Sequence, residues 1–168
     1  MNDLVEAYLK TEIIFSAQDG THWATVSVST TGGISRPGGA LGLLGLEVSS
    51  AFVITAWNPL GQEHTVDQNE ALQSRLINDL KSLGLTFMPV LGQEPGGGWK
   101  EDSLLIPNLE SINTLGKVLI LADNYEQNAI FEVTDTSKKI IGIRMQSMTA
   151  EAGYRLLPMG TQGINSEA

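Results

Sequence analysis

The chain has 168 residues, 42% of them hydrophobic and 17% charged, with a formal net charge of −9 and no cysteine. That apolar share supports one sizeable core and excludes a disordered acidic segment. The missing thiols exclude disulfides, thiolate metal ligands, iron–sulfur clusters and cysteine nucleophiles, and the acidic balance argues against nucleic acid as a partner.

In chain order, Leu4, Val5, Tyr8 and Leu9 recur at helical spacing over residues 2–10, with Asn2 or Asp3 as the cap. The start Met1-Asn2-Asp3-Leu4-Val5-Glu6 lacks the basic opening of a secretion signal, so a cytoplasmic location is expected. Ile13-Ile14-Phe15 and the alternating Ala24, Val26 and Val28 flank Asp19-Gly20, which supplies the positive φ a tight hairpin turn needs. Residues 30–49 then fill with breakers and a Leu/Gly alternation. Gly39, Gly42 and Gly45 fit neither a dinucleotide fingerprint nor a phosphate loop, and no lysine follows them. An inserted Gly/Leu-rich loop is predicted, whose leucines require cover from a neighbouring segment or a second subunit.

The apolar run Ala51–Ala56 suits a strand buried on both faces, stopped by Pro59. Thr65-Val66-Asp67-Gln68 is a capping box opening a helix, with Leu72, Leu76, Leu80 and Leu83 as its buried stripe and Gly84 closing it. Strands are predicted over Thr86–Leu91 and Trp99–Ile106, on either side of the glycine-rich residues 92–98. Ile112, Leu115, Leu119 and Ala122 trace a second helix, although Val118–Leu121 also suits a strand. Ala129–Val133 and Lys139–Arg144 form a last hairpin around Asp135-Thr136, and residues 146–168 read as an irregular tail with Tyr154-Arg155-Leu156-Leu157 docked. The expected product is a single α+β domain over residues 1–145, a mixed, mainly antiparallel sheet with two or three helices packed on it. No run approaches the roughly 20 apolar residues of a membrane span.

A few polar residues fall where packing alone would place something else. Asn69 projects within the leucine stripe of its helix, so its amide must be hydrogen-bonded, either by fastening Trp57-Asn58-Pro59 to the helix or by contacting a ligand. Trp99, Glu101 and Ser103 share a strand face by period two. If that face is inward, Glu101 is a buried acid with a raised pKa suited to proton transfer; if outward, it is a solvated charge. Gln127 shares a face with Ala129 and Phe131, while Asn128, Ile130 and Glu132 take the other. No Ser-His-Asp order or Gly-x-Ser-x-Gly elbow is present, and His22 and His64 belong to no ligand pattern, so no metal or cofactor is expected.

Ile54-Thr55-Ala56-Trp57-Asn58-Pro59, then Asn69, then Trp99-Lys100-Glu101-Asp102-Ser103, then Gln127-Asn128-Ala129-Ile130-Phe131-Glu132 together resemble a bacterial family known as domain of unknown function 3293. The resemblance covers roughly residues 51–134 and leaves residues 30–49 and the tail without counterpart. It implies no reaction. It implies that Trp57, Asn58, Asn69, Trp99, Glu101, Ser103 and Gln127 lie near one another.

Two readings follow. In the first, these residues line a pocket for a polar small molecule, with Glu101 as acid or base and Trp57 and Trp99 as stacking faces. In the second, they form a structural hydrogen-bond network in a protein–protein or accessory module, and residues 32–46 carry the contact to a partner or a second copy. Whether the protein is an enzyme stays open at this stage. A nucleic-acid surface would need a basic patch, for which Lys138-Lys139 and Arg144 are the candidates. A Glu101 placed beside Asn58, Asn69 and Gln127 in an open cavity favours a site; a closed and fully bonded cluster favours a network.

Overall fold

The computed structural model describes residues 3–27, 36–37, 39–144 and 150–159. Helix α1 (Asp3–Lys10) leads into the hairpin β1 (Glu12–Ser16) and β2 (His22–Ser27), followed by the two-residue β3 (Arg36–Pro37) and the short α2 (Ala40–Leu43). Then come β4 (Ala51–Ile54), α3 (Val66–Ser82), β5 (Met88–Gln93), β6 (Lys100–Pro107) and α4 (Thr114–Asn124), with β7 (Ala129–Val133), β8 (Ser137–Gly142) and β9 (Ala150–Met159) last.

The local signals act as their chemistry requires. Thr65 accepts from the Gln68 backbone N–H and Gln68 reaches back to Thr65 N, completing the capping box of α3. Gly84, at φ 73°, closes that helix in the left-handed region. Residues 118–121 are helical, which resolves the ambiguity there.

The open, helix-backed α+β sheet expected from the sequence is overturned. The strands run β2-β1-β5-β6-β4-β7-β8-β9, every pairing along them is antiparallel, and β9 pairs back onto β2 from His22↔Met159 to Ser27↔Tyr154. Eight strands therefore close a barrel, and β3 adds to β9 outside that ring. The missing piece was β9. Ala150–Met159, read from the sequence as part of an irregular tail, supplies the strand that joins both free edges, and closure removes the unpaired backbone an open sheet leaves at its margins. Residues 146–149 and 160–168 of that tail lie outside the described residues, as do 30–35 and 38 of the Gly/Leu-rich loop.

Strand alternation divides the core. Phe52, Ile54, Leu104, Ile106 and Ile130 face out beneath Leu76 and Leu80 of α3 and Val118, Leu121 and Ala122 of α4. Ile13, Phe15, Val53, Val90, Leu105, Val133 and Leu156 face in, and Ala40, Leu41 and Leu44 of the α2 segment cover one end of that interior. The leucines of the loop thus find cover within their own chain. At the other end, Val5 and Leu9 of α1 pack on Ile140 with Ala129, Phe131 and Ala152. The helix stripes differ from expectation at their ends: Leu83, Ile112 and Leu115 are exposed, whereas Gln73 of α3 and Tyr125 after α4 are buried. Among the described residues no helix is long and apolar enough to cross a membrane.

Candidate functional site

At the α1 end, the barrel interior opens into a cleft of about 640 Å³. Eight-stranded barrels have an interior that side chains fill or that leaves room for one small molecule, and here one end is filled and the other is an open cleft. Period two along β6 turns Glu101 and Ser103 inward, β7 turns Ala129 and Phe131 inward, and α1 lays Leu4, Ala7 and Tyr8 along the opposite wall. Of the sequence-derived candidates, Trp57, Asn58, Asn69, Trp99, Glu101, Ser103 and Gln127 all line this one cleft.

The three amides are tied into the protein itself. Asn58 N donates to Asn69 Oδ1 at 2.9 Å, and Asn69 Nδ2 donates to Asn58 Oδ1 at 3.0 Å and to His64 O at 3.4 Å. His64 N donates to Asn58 Oδ1 at 3.0 Å. Gln127 Nε2 donates to Trp57 O at 3.1 Å and to Tyr125 O at 3.2 Å. These bonds hold the corner where β4 leaves the sheet, a corner with φ of 49° at Asn58 and 59° at Leu60. Asparagine tolerates the left-handed region better than most residues, which suits position 58. Gln73, one helical turn beyond Asn69, serves the same corner: Ala56 N donates to its Oε1 at 2.9 Å and its Nε2 donates to Asp102 O at 3.0 Å. Sequence reasoning passed over Gln73, although its i+4 spacing from Asn69 places it on the same face.

Glu101 differs from the amides. Its hydrogen bond from a neighbouring side chain is a long one, Asn58 Nδ2 to Oε1 at 3.5 Å. Burial pushes its carboxyl above the ordinary value of 4.5, and the Asn58 contact offsets that rise in part. Ser103 Oγ donates to the Glu101 backbone O at 3.3 Å and so is turned to the main chain. Tyr8 faces the acid: burial raises its phenol, the Glu101 charge raises it further, and a hydrogen bond with the Asn128 side chain lowers it. Neither Tyr8 nor Asn128 was singled out from the sequence. Tyr8 read as part of an apolar helix stripe, and Asn128 was placed opposite Gln127, but β7 begins only at Ala129, so alternation does not govern those two amides. The buried Trp57 Nε1 has no hydrogen-bond partner among the described residues. Trp99 stands half in solvent at the rim.

Against Phe131 lies a lysine that was a candidate for the basic patch a nucleic-acid surface would need. Lys138 is 2% exposed, its Nζ donates to Thr11 O, and it sits 5.3 Å from the Phe131 ring centroid. Burial lowers its pKa to about 8, against the pull of Glu12, which raises it. It contributes nothing to a surface patch. Among the described residues no three His, Asp or Glu side chains converge as metal ligands.

Residues 54–130 match the model of a family described as Protein of unknown function (DUF3293), just under half of the chain. The chain is similar to that family over the stretch that carries every candidate residue of the cleft, from Trp57 to Gln127. No curated protein and no solved structure matches the chain.

Proposed function

We propose that this is a small-molecule-binding domain that takes a polar ligand into the barrel-mouth cleft, with Glu101 as the group that meets it. The observation that carries this reading is the contrast within one cluster. The amides of Asn69 and Gln127 and the Oδ1 of Asn58 are spent on the corner, whereas Glu101, half-buried beside them, accepts a 3.5 Å bond from Asn58 Nδ2 and faces an open cavity of about 640 Å³. A half-buried carboxylate held by one long hydrogen bond costs stability, which is a frequent mark of a working group. The raised pKa also suits Glu101 to exchange a proton with what it binds. Asn58, Asn69 and Gln127 then act as positioning residues, and Trp57 and Trp99 supply ring faces.

The test is a thermal-shift screen of polar metabolites against wild type, Glu101→Gln and Trp99→Ala. Trp99 stands half in solvent at the rim and outside the core, so its truncation is expected to leave the fold in place. A metabolite that shifts wild type, and shifts both variants less, supports the reading. If nothing shifts wild type at millimolar concentration, the pocket reading fails.

A further inference from the structure

We infer that the ligand of this cleft is a protonated amine on an apolar body, its ammonium seated against Glu101 and its body lying along the rim. The inference rests on the small-molecule reading above and adds the chemistry of the ligand.

The first argument is the sign of what the floor offers. Gln127 gives its amide hydrogens to two backbone oxygens, Asn69 gives its own to Asn58 Oδ1 and His64 O, and the Asn58 amide turns to Glu101. The amide donors of the floor are thus consumed, and what the cleft keeps is the Glu101 carboxylate, with the Trp57 Nε1–H as a buried neutral donor that has no partner among the described residues. An ionised carboxylate is acceptor-only, with about four lone-pair sites, and one long bond occupies Glu101. A ligand acceptor or anion meets repulsion there, whereas N–H donors with a positive charge complete the group and make charge-assisted bonds. Glu63 also lines the cleft. So does Lys100, while the group that offsets the raised Glu101 carboxyl is the Asn58 side chain.

The second argument is the wall. Tyr8, Trp57, Trp99 and Phe131 all line the cleft, and ring faces attract a cation through their quadrupoles. The rim, which Trp99 shares, is apolar and open: Leu4 is 38%, Trp99 40% and Val66 58% exposed. Large apolar side chains gathered at the mouth of a cavity match a ligand with an apolar body behind a polar head. The net charge of −9 favours the approach of a cation.

Three ligands of one shape and different head charge test this: benzylammonium, benzyl alcohol and benzoate, each titrated calorimetrically into the full chain at pH 7.5 and constant ionic strength. Benzylammonium is expected to bind about tenfold or more tighter than benzyl alcohol, the worth of one charge-assisted hydrogen bond, with benzoate weakest. Glu101→Gln is expected to bring ammonium and alcohol to within about threefold, since the charged acceptor is gone. Trp99→Ala should weaken all three alike. The wild-type series decides the matter without the Glu101 variant. If benzyl alcohol or benzoate binds as tightly as benzylammonium, and Trp99→Ala weakens it, the amine inference falls and the small-molecule reading stands. If none of the three binds, the amine inference falls, and the metabolite screen decides the small-molecule reading by itself.

Discussion

Asn58 and Asn69 grip each other twice, backbone N–H to Oδ1 at 2.9 Å in one direction and Nδ2 to Oδ1 at 3.0 Å in the other. Eleven positions apart in the chain, they fasten the start of α3 to the corner after β4. The amide that remains to Asn58 is the one that touches Glu101, so the corner and the candidate site share a residue.

Asn69→Leu keeps the branched shape and removes all three side-chain bonds, to Asn58 N–H, Asn58 Oδ1 and His64 O, at a position where Asn69 itself is 2% exposed. The expected loss is about 1–3 kcal/mol, a fall in Tm of roughly 2–4 °C for each kcal/mol. Urea unfolding that shows a loss below about 0.5 kcal/mol would contradict the fastening role.

Glu101 makes the opposite prediction. Its folded pKa is raised, so the folded state holds this proton more tightly than the unfolded chain, and its stabilising effect is present at low pH and lost as pH rises through the folded pKa. Glu101→Gln carries no such loss. The variant should equal or exceed wild type in stability at pH 7, and the difference should shrink on acidification below the ordinary value of 4.5. Denaturation of both proteins across pH 3.5–7 measures it; a variant less stable at pH 7 than at pH 3.5, relative to wild type, would be the wrong sign.

Lys138 titrates the other way round. Its pKa is lowered to about 8, so from there upward the unfolded chain binds more protons than the folded one, and stability attributable to this group increases with pH. Wild type should gain on Lys138→Met between pH 8 and pH 10 in urea unfolding. The window stops there because burial lifts Tyr125 and Tyr154 to about 12, and tyrosine ionisation then acts against the fold. A flat difference across that window would place the lysine in water.

Leu156→Ala tests closure. Leu156 is fully buried among inward-facing residues of β9, and truncation there should cost about 2–5 kcal/mol. In an irregular tail the same change would cost well under 1 kcal/mol, so chemical denaturation separates the two.

What the sequence determined is what neighbours within a few residues decide. The capping box at Thr65, the stop at Gly84, the Asp19-Gly20 hairpin and the doubly buried Ala51–Ile54 are legible because turn chemistry and periodicity act over short spans. The grouping of Glu101 and Ser103 on one face was equally legible, though Trp99 stands just before β6 and outside its alternation, and so was the need of Asn69 for a partner near Trp57. Which face of β6 looks inward was not, because inside and outside exist only once the sheet has curled. Tertiary structure alone decided the closure. The pairing of Ser27 with Tyr154 joins residues 127 positions apart in the chain. Nothing local in the tail announces a partner edge at that distance, and with that pairing the same strands form a barrel with a mouth instead of a sheet with two edges. The mouth in turn gives Glu101 its burial, Tyr8 its place opposite the acid and Lys138 its low pKa, all of them properties of surroundings assembled from remote segments.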